Sequence, residues 1–118
     1  MIHGITLIFI FYFREPCRGS RRAISPPADP VDDPVERIDG SLAAGVLFLR
    51  DHAANALPKA YGTLGLAREQ FDRHIAYDIG AAWITRRLAR DFGAPAILAR
   101  FSRLLIDPNR GVDDPTLV

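Results

Sequence analysis

The sequence predicts an α/β fold with a mostly parallel sheet, on three observations. The first is an order of strand, helix and strand: an apolar run at Val46–Leu49, a helical pattern ending at Phe92, and a second apolar run at Ala96–Ala99. With these lengths the middle segment is a crossover, and a crossover leaves its two strands parallel. The second is punctuation: Gly93 can take the left-handed position that ends a helix, and Pro95 prevents its continuation. The third is composition: 48% hydrophobic and 25% charged over 118 residues, as in an ordinary globular domain.

The elements follow in chain order. Ile5–Phe13 is almost wholly apolar, but nine helical residues span only about 13 Å against a bilayer core of roughly 30 Å. Only His3 precedes the run, which is not the positive leader of a secretory signal. A buried strand and a poorly ordered, aggregation-prone tail both fit it, as does a misassigned start. Residues 14–41 hold five of the nine prolines, with arginines early and aspartates late, and show no period of 2 or 3.6. They are expected to be a linker without regular structure. The chain thus divides into 1–41, an atypical start plus a Pro-rich linker, and a foldable part at 42–118. A chain of that size buries only about 60% of its unfolded surface.

Behind the first strand, Leu66, Phe71 and Ile75 suggest a short helix over 67–75. Ile79, Trp83, Leu88 and Phe92 suggest a longer one over 78–92, with Trp83 as a core anchor. Gly80 inside that helix suggests close approach of another backbone. Leu104–Ile106 is expected as a third strand, too close to the second for a crossover. It is a bent continuation or an antiparallel neighbour. The tail "GVDDPTLV" is expected as a loop with Asp113 and Asp114 solvated.

In such a sheet ligands bind beyond the carboxyl ends of the strands, which makes the polar residues there informative. They are Asp51, His52 and Asn55 after the first run, Arg100, Ser102 and Arg103 after the second, and Asp107, Asn109 and Arg110 after Ile106. His52 is either a surface polar residue or a ligand, with Asp51 able to orient its ring. Asn55 is a poor zinc donor, and this pair alone is no metal motif. His74 and Asp78, four apart, would share a helix face; a half-buried histidine and a first-turn aspartate explain them equally. Arg103 and Arg110 carry planar forks suited to carboxylates. Asn109 could complete a clamp, Asp107 could fix either arginine, and Pro108 stiffens the turn. The plainer alternative is a surface ion pair.

A near-neutral charge and scattered arginines give no reason to expect nucleic acid, and no apolar run is long enough for a membrane. Cys17 stands alone, so neither a disulfide framework nor a structural zinc knuckle is expected. Without a leader the location is expected to be cytoplasmic.

"LFLRDHAANALP", "LGL", "HIAYDIGAA", "GAPAILARFSRLLIDPNR" and "DDPTLV", in that order, resemble the N-formylglutamate amidohydrolase family over about residues 45–118. The resemblance implies part of a three-layer sandwich of the phosphorylase/hydrolase-like type, related to zinc-dependent exopeptidases and aspartoacylases. It implies zinc as cofactor, with His52 a ligand and Asp78 a substitute second ligand. Asp107, Asn109 and Arg110 would hold the substrate carboxylate, and Arg103 would grip substrate or polarise its carbonyl. Asp51, Asn55 and His74 would support them. The substrate would be a small N-formyl or N-acyl amino acid, hydrolysed at its amide with metal assistance.

Two departures stand against this. Asn55 occupies the place where the related peptidases carry glutamate, and no histidine follows His74. The family is about twice this length, so the chain is expected to be an amino-terminal half with weak metal binding and negligible hydrolysis alone. The competing readings are a non-catalytic carboxylate-binding module and an unstable gene remnant.

Overall fold

The computed structural model describes residues 9–11, by their backbone, and 33–116. Four strands form one sheet: β1 (Phe9–Phe11), β2 (Val35–Ile38), β3 (Leu47–Arg50) and β4 (Ala96–Ala99), in the order β1-β3-β4-β2. The central pair is parallel, with Phe48 opposite Ala96 and Arg50 opposite Leu98. Both flanking pairs are antiparallel, Phe9 opposite Leu49 on one side and Ile38 opposite Ala96 on the other. The α/β class and the parallel pair joined across a helix are as the sequence predicts. The sheet is mixed, however, because each edge strand enters from the amino-terminal region rather than through a further crossover.

β2 corrects the linker expectation for residues 35–38. Its pairing with β4 supplies an order that no local pattern announces. The expectations for residues 1–8 and 12–32 lie outside the described residues. β1 shows that part of the apolar start pairs as a strand.

A turn of 3₁₀ helix at Leu42–Ala44 delivers the chain to β3. Ser41 Oγ accepts from Ala43 N at 3.1 Å, and Gly45 closes the turn at φ 67°. Gly40 packs flush on the Ala94–Pro95 backbone, leaving no room for a side chain. Along β3 the side chains alternate, Phe48 and Arg50 buried, Leu47 and Leu49 half-buried; Ala96 and Leu98 are buried in β4. Val46, Phe48, Ala53, Ala89, Ala94, Ala96 and Leu98 form the core.

One helix, α1 (Ala81–Phe92), packs on β3 and β4. Its buried stripe is Ala81, Thr85 and Ala89, residues small enough to bring the helix close to the sheet. That stripe corrects the role expected of Trp83. Two positions on from Ala81, it points away from the sheet and is 65% exposed. Phe92 meets Phe48 edge-on at 5.8 Å. Gly93 stops the helix as expected, at φ 60° with its N–H on the Ala89 and Arg90 carbonyls.

The start differs from expectation. Asp78–Gly80 is a turn in which Ala81 N bonds the Asp78 carbonyl at 3.1 Å. Gly80 is needed there for its φ of 83°, not for close approach, since open space surrounds the place a Cβ would take.

Two other expected elements are absent from the described residues. Over 67–75 only Arg68–Asp72 is helical, as a 3₁₀ turn, because Leu66 and Ile75 lie exposed and bury no apolar face. Leu104–Ile106 is not a strand: Ser102 captures the backbone there, its Oγ accepting from Leu104 N and its carbonyl from Leu105 N. Among the described residues no helix is long and apolar enough to cross a membrane.

Candidate functional site

The carboxyl ends of β3 and β4 lie side by side, so the residues that follow them meet. Hydrogen bonds join three loops at this rim. Asp78 N donates to the His52 carbonyl at 2.9 Å, Ser102 N to the Ala56 carbonyl at 2.8 Å, and Arg103 N to the Ala76 carbonyl at 3.1 Å. The Ser102 hydroxyl, fully buried, donates to the same Ala76 carbonyl at 2.9 Å. Ser102 therefore fixes the place from which Arg103 reaches the rim.

His52, 6% exposed, stands at the centre. Its Nε2 lies 2.7 Å from Asp107 Oδ1, and Arg103 Nη1 lies 3.3 Å from its Nδ1. A guanidinium can only donate, so Nδ1 is the acceptor and the ring proton sits on Nε2, donated to Asp107. Asp107 is buried and also accepts from Asn109 N at 3.0 Å. Burial alone would raise its carboxyl pKa. The Asn109 N–H, His52 and Arg103 outweigh that and hold it below the usual carboxylate range.

Around this pair are three guanidinium groups. Arg103 spans Asp78 Oδ1 at 3.5 Å and Asp107 Oδ2 at 3.4 Å. Arg110 Nε lies 3.3 Å from Asp107 Oδ2, and its Nη1 lies 3.4 Å from Asp114 Oδ2. Arg50, the last residue of β3, is 3% exposed and pairs with Asp78 Oδ2. Burial pulls its guanidinium down from the ordinary range, with nearby Asp51 opposing and Arg103 adding.

The cavity between these groups has a volume of about 290 Å³. His52 and Arg103 line it from beyond the ends of β3 and β4, Asp78 from the turn before α1, and Asp107, Asn109 and Arg110 from a loop that no strand precedes at Leu104–Ile106. Arg50 and Asp114 also line it, and the sequence reading missed both. The burial alternation of β3 was the available signal for Arg50, since Phe48 and Arg50 share a face. Asp114 reaches the cavity instead of lying in solvent because its carboxylate turns back to Arg110.

The other candidates lie elsewhere. The Asp51 side chain does not line the cavity, and the acceptor for the His52 ring is Asp107. Asn55 donates from Nδ2 to the Phe71 carbonyl at 2.9 Å and borders a separate cleft. His74 is exposed and outside the cavity.

A catalytic zinc takes three protein ligands and keeps one open position. Among the described residues no three His, Cys, Asp or Glu side chains are grouped to hold a metal ion. Both His52 ring nitrogens already face partners, and Asp78 faces Arg50 and Arg103. This donor set does not fit zinc by itself. What it offers is planar cationic donors, each facing a carboxylate, around a small cavity with an imidazole among them.

Comparison with known proteins agrees with the strand-end motifs. The crystal structure of gene product Atu2144 from Agrobacterium tumefaciens is similar at 39% sequence identity with a TM-score of 0.57. The match covers 60% of this chain and 28% of that one, so the present chain spans little more than a quarter of its length. No curated protein matches. The family model for N-formylglutamate amidohydrolase matches residues 44–118, which include every residue lining the cavity. The chain belongs to the N-formylglutamate amidohydrolase family.

Proposed function

We propose that this chain forms the carboxylate-recognition part of a hydrolase that cleaves the amide of a small N-formyl or N-acyl amino acid. The observation that supports the reading is the meeting of His52 with Arg103, Asn109 and Arg110 in one cavity, although more than fifty residues separate them. Arg110 and Asn109 take the substrate carboxylate. Arg103 either shares it or polarises the scissile carbonyl. Each is a permanent or neutral donor that an anion can engage without a proton transfer.

His52 is held for contact with substrate rather than for packing. Its Nδ1 becomes available to a ligand once Arg103 turns toward the incoming carboxylate, while Asp107 keeps hold of Nε2. Zinc belongs to the reading only with donors beyond the described set. So does hydrolysis, which is proposed for the larger fold, a three-layer sandwich with a mostly parallel sheet. A cytoplasmic location for the reaction is part of the same proposal.

Calorimetric titration with N-formylglutamate tests it. Removing a charge-assisted bond to the carboxylate costs about 1.5–3 kcal/mol, so Arg110→Ala should weaken binding roughly 10- to 100-fold. An unchanged affinity in both Arg103→Ala and Arg110→Ala would remove the basis of the proposal. His52→Ala separates the two classes of function. Affinity retained there, with loss in Arg110→Ala, favours a non-catalytic carboxylate-binding module. Metal analysis and a deformylation assay on the same samples test zinc content and turnover; fast turnover by residues 1–118 would overturn the assignment of hydrolysis to the larger fold.

A further inference from the structure

We infer that Asp114 is a positioning residue for Arg110, acting through a second Asp-Pro turn that repeats the one at Asp107. The inference rests on the reading that Arg110 grips a ligand carboxylate.

The two turns have the same chemistry. In Asp107-Pro108-Asn109 the aspartate Oδ1 accepts from the backbone N–H two residues on, at 3.0 Å. In Asp114-Pro115-Thr116 the aspartate Oδ1 does the same, at 2.8 Å. Proline suits the middle position because its φ is preset and it has no N–H of its own to satisfy. Each turn thereby fixes a carboxylate, and both carboxylates face Arg110.

Asp107 Oδ2 accepts from Nε at 3.3 Å, and Asp114 Oδ2 accepts from Nη1 at 3.4 Å. The Thr116 hydroxyl adds a third contact. It donates to Asp114 Oδ1 at 2.6 Å and accepts from Arg110 Nη1, which uses its single hydrogen and a lone pair. Arg110 is thus held at Nε by one stretch of chain and at Nη1 by another, on different sides of the guanidinium, while Nη2 lies outside these contacts.

The functional consequence follows from entropy. An arginine side chain samples many rotamers, and ordering it when a ligand arrives opposes binding. A guanidinium already fixed in the cavity avoids that cost, so affinity gains without a new contact to the ligand. Asp114 touches no substrate in this account; it acts through Arg110. It is 34% exposed on its side chain and lines the cavity, whereas its neighbour Asp113 is exposed and does not.

The test uses the full chain labelled with ¹³C,¹⁵N-arginine, Arg110→Lys serving to assign the Arg110 side-chain signals. In the wild type, rotation about the Arg110 Nε–Cζ bond should be hindered. In Asp114→Asn and Thr116→Val it should average, and N-formylglutamate affinity should fall roughly tenfold, a 1.4 kcal/mol difference. Asp113→Asn should leave both readouts unchanged.

Four results overturn the inference: an averaged Arg110 signal in the wild type, a hindered one retained in both variants, the same loss in Asp113→Asn, or unchanged affinity after the signal averages. If no form binds N-formylglutamate while the signals behave as expected, the turn pair stands as the holder of Arg110. The carboxylate-recognition reading is then what fails.

Discussion

Replacing Arg50 by methionine should destabilise the chain by about 3 kcal/mol, the low end of what breaking a buried ion pair costs. The number comes from the setting of the pair. Two unit charges about 4 Å apart at an effective dielectric of 20 attract by about 4 kcal/mol, from which the cost of dehydrating both must be taken. The Arg50 side chain is 2% exposed and that of Asp78 is 23% exposed, so water replaces little of the lost contact. Arg103, 3.5 Å from the other Asp78 oxygen, softens the loss and keeps it from the upper end of the range. Methionine preserves most of the apolar stem, so packing changes little.

Asp78→Asn should cost a similar amount, because it leaves a buried cation facing a neutral amide. The double substitution should cost less than the sum of the two, with a coupling of about 2 kcal/mol. Urea denaturation followed by far-ultraviolet circular dichroism measures all four proteins. Trp83 fluorescence is a poor reporter because the indole is already 65% exposed. Additive costs, or an Arg50→Met loss below about 1 kcal/mol, would refute the view that Asp78 serves chiefly as the counter-ion of Arg50.

Three further expectations are separable from that one. Gly40→Ala places a methyl group inside the Ala94–Pro95 backbone and should cost about 1–3 kcal/mol or more in the same denaturation assay; a neutral result would mean that the close approach is not maintained. Ser102→Ala leaves the Ala76 carbonyl without its hydroxyl donor and Leu104 N without its acceptor, for a loss of about 1–3 kcal/mol and slackened order of Arg103. Glu36 is held below the ordinary carboxylate range, chiefly by its side-chain hydrogen bonds to Arg86 with burial opposing. A depressed folded-state pKa stabilises fully above the unfolded value, near 4.3, and the contribution disappears as pH falls through the folded value. Acid denaturation curves should therefore flatten slightly below about pH 4 in Glu36→Gln, by little because the pair is a third to half exposed. A steeper acid limb in that variant would contradict the sign.

What could be foreseen from residues alone divides along a physical line. The β3–α1–β4 unit was legible because periodicity, Gly93 and Pro95 are local signals. Convergence of His52 with Arg103 followed from the direction of two parallel strands, whereas that of Arg110 was expected from a third strand at Leu104–Ile106, in whose place the structure has a turn. Of the edge strands β2 was not legible, since it owes its form to a partner 58 to 64 residues away, while β1 falls within a run that fits a strand and a disordered tail equally. Apolar spacing misled at Trp83, where the helix buries alanines and leaves the large ring outside. Charged residues were the hardest to place. Arg50 directly follows the apolar run Val46–Leu49, yet strand alternation carries it inward. Asp114 could be placed only through Arg110, a partner that spacing does not name.

The register of the central strands also bears on how the molecule is made. Phe48 lies opposite Ala96, 48 positions later in the chain, and Val35 lies opposite Ala99. Neither contact can form until residues 96–99 have been synthesised, and each must first close a long loop. High contact order of this kind slows folding relative to a helical bundle of equal size. His52 and Asp107, 55 residues apart, come together only once that closure is complete. The cavity beside His52 is consequently a late product of folding, and a nascent chain exposes unpaired strand edges before that cavity exists.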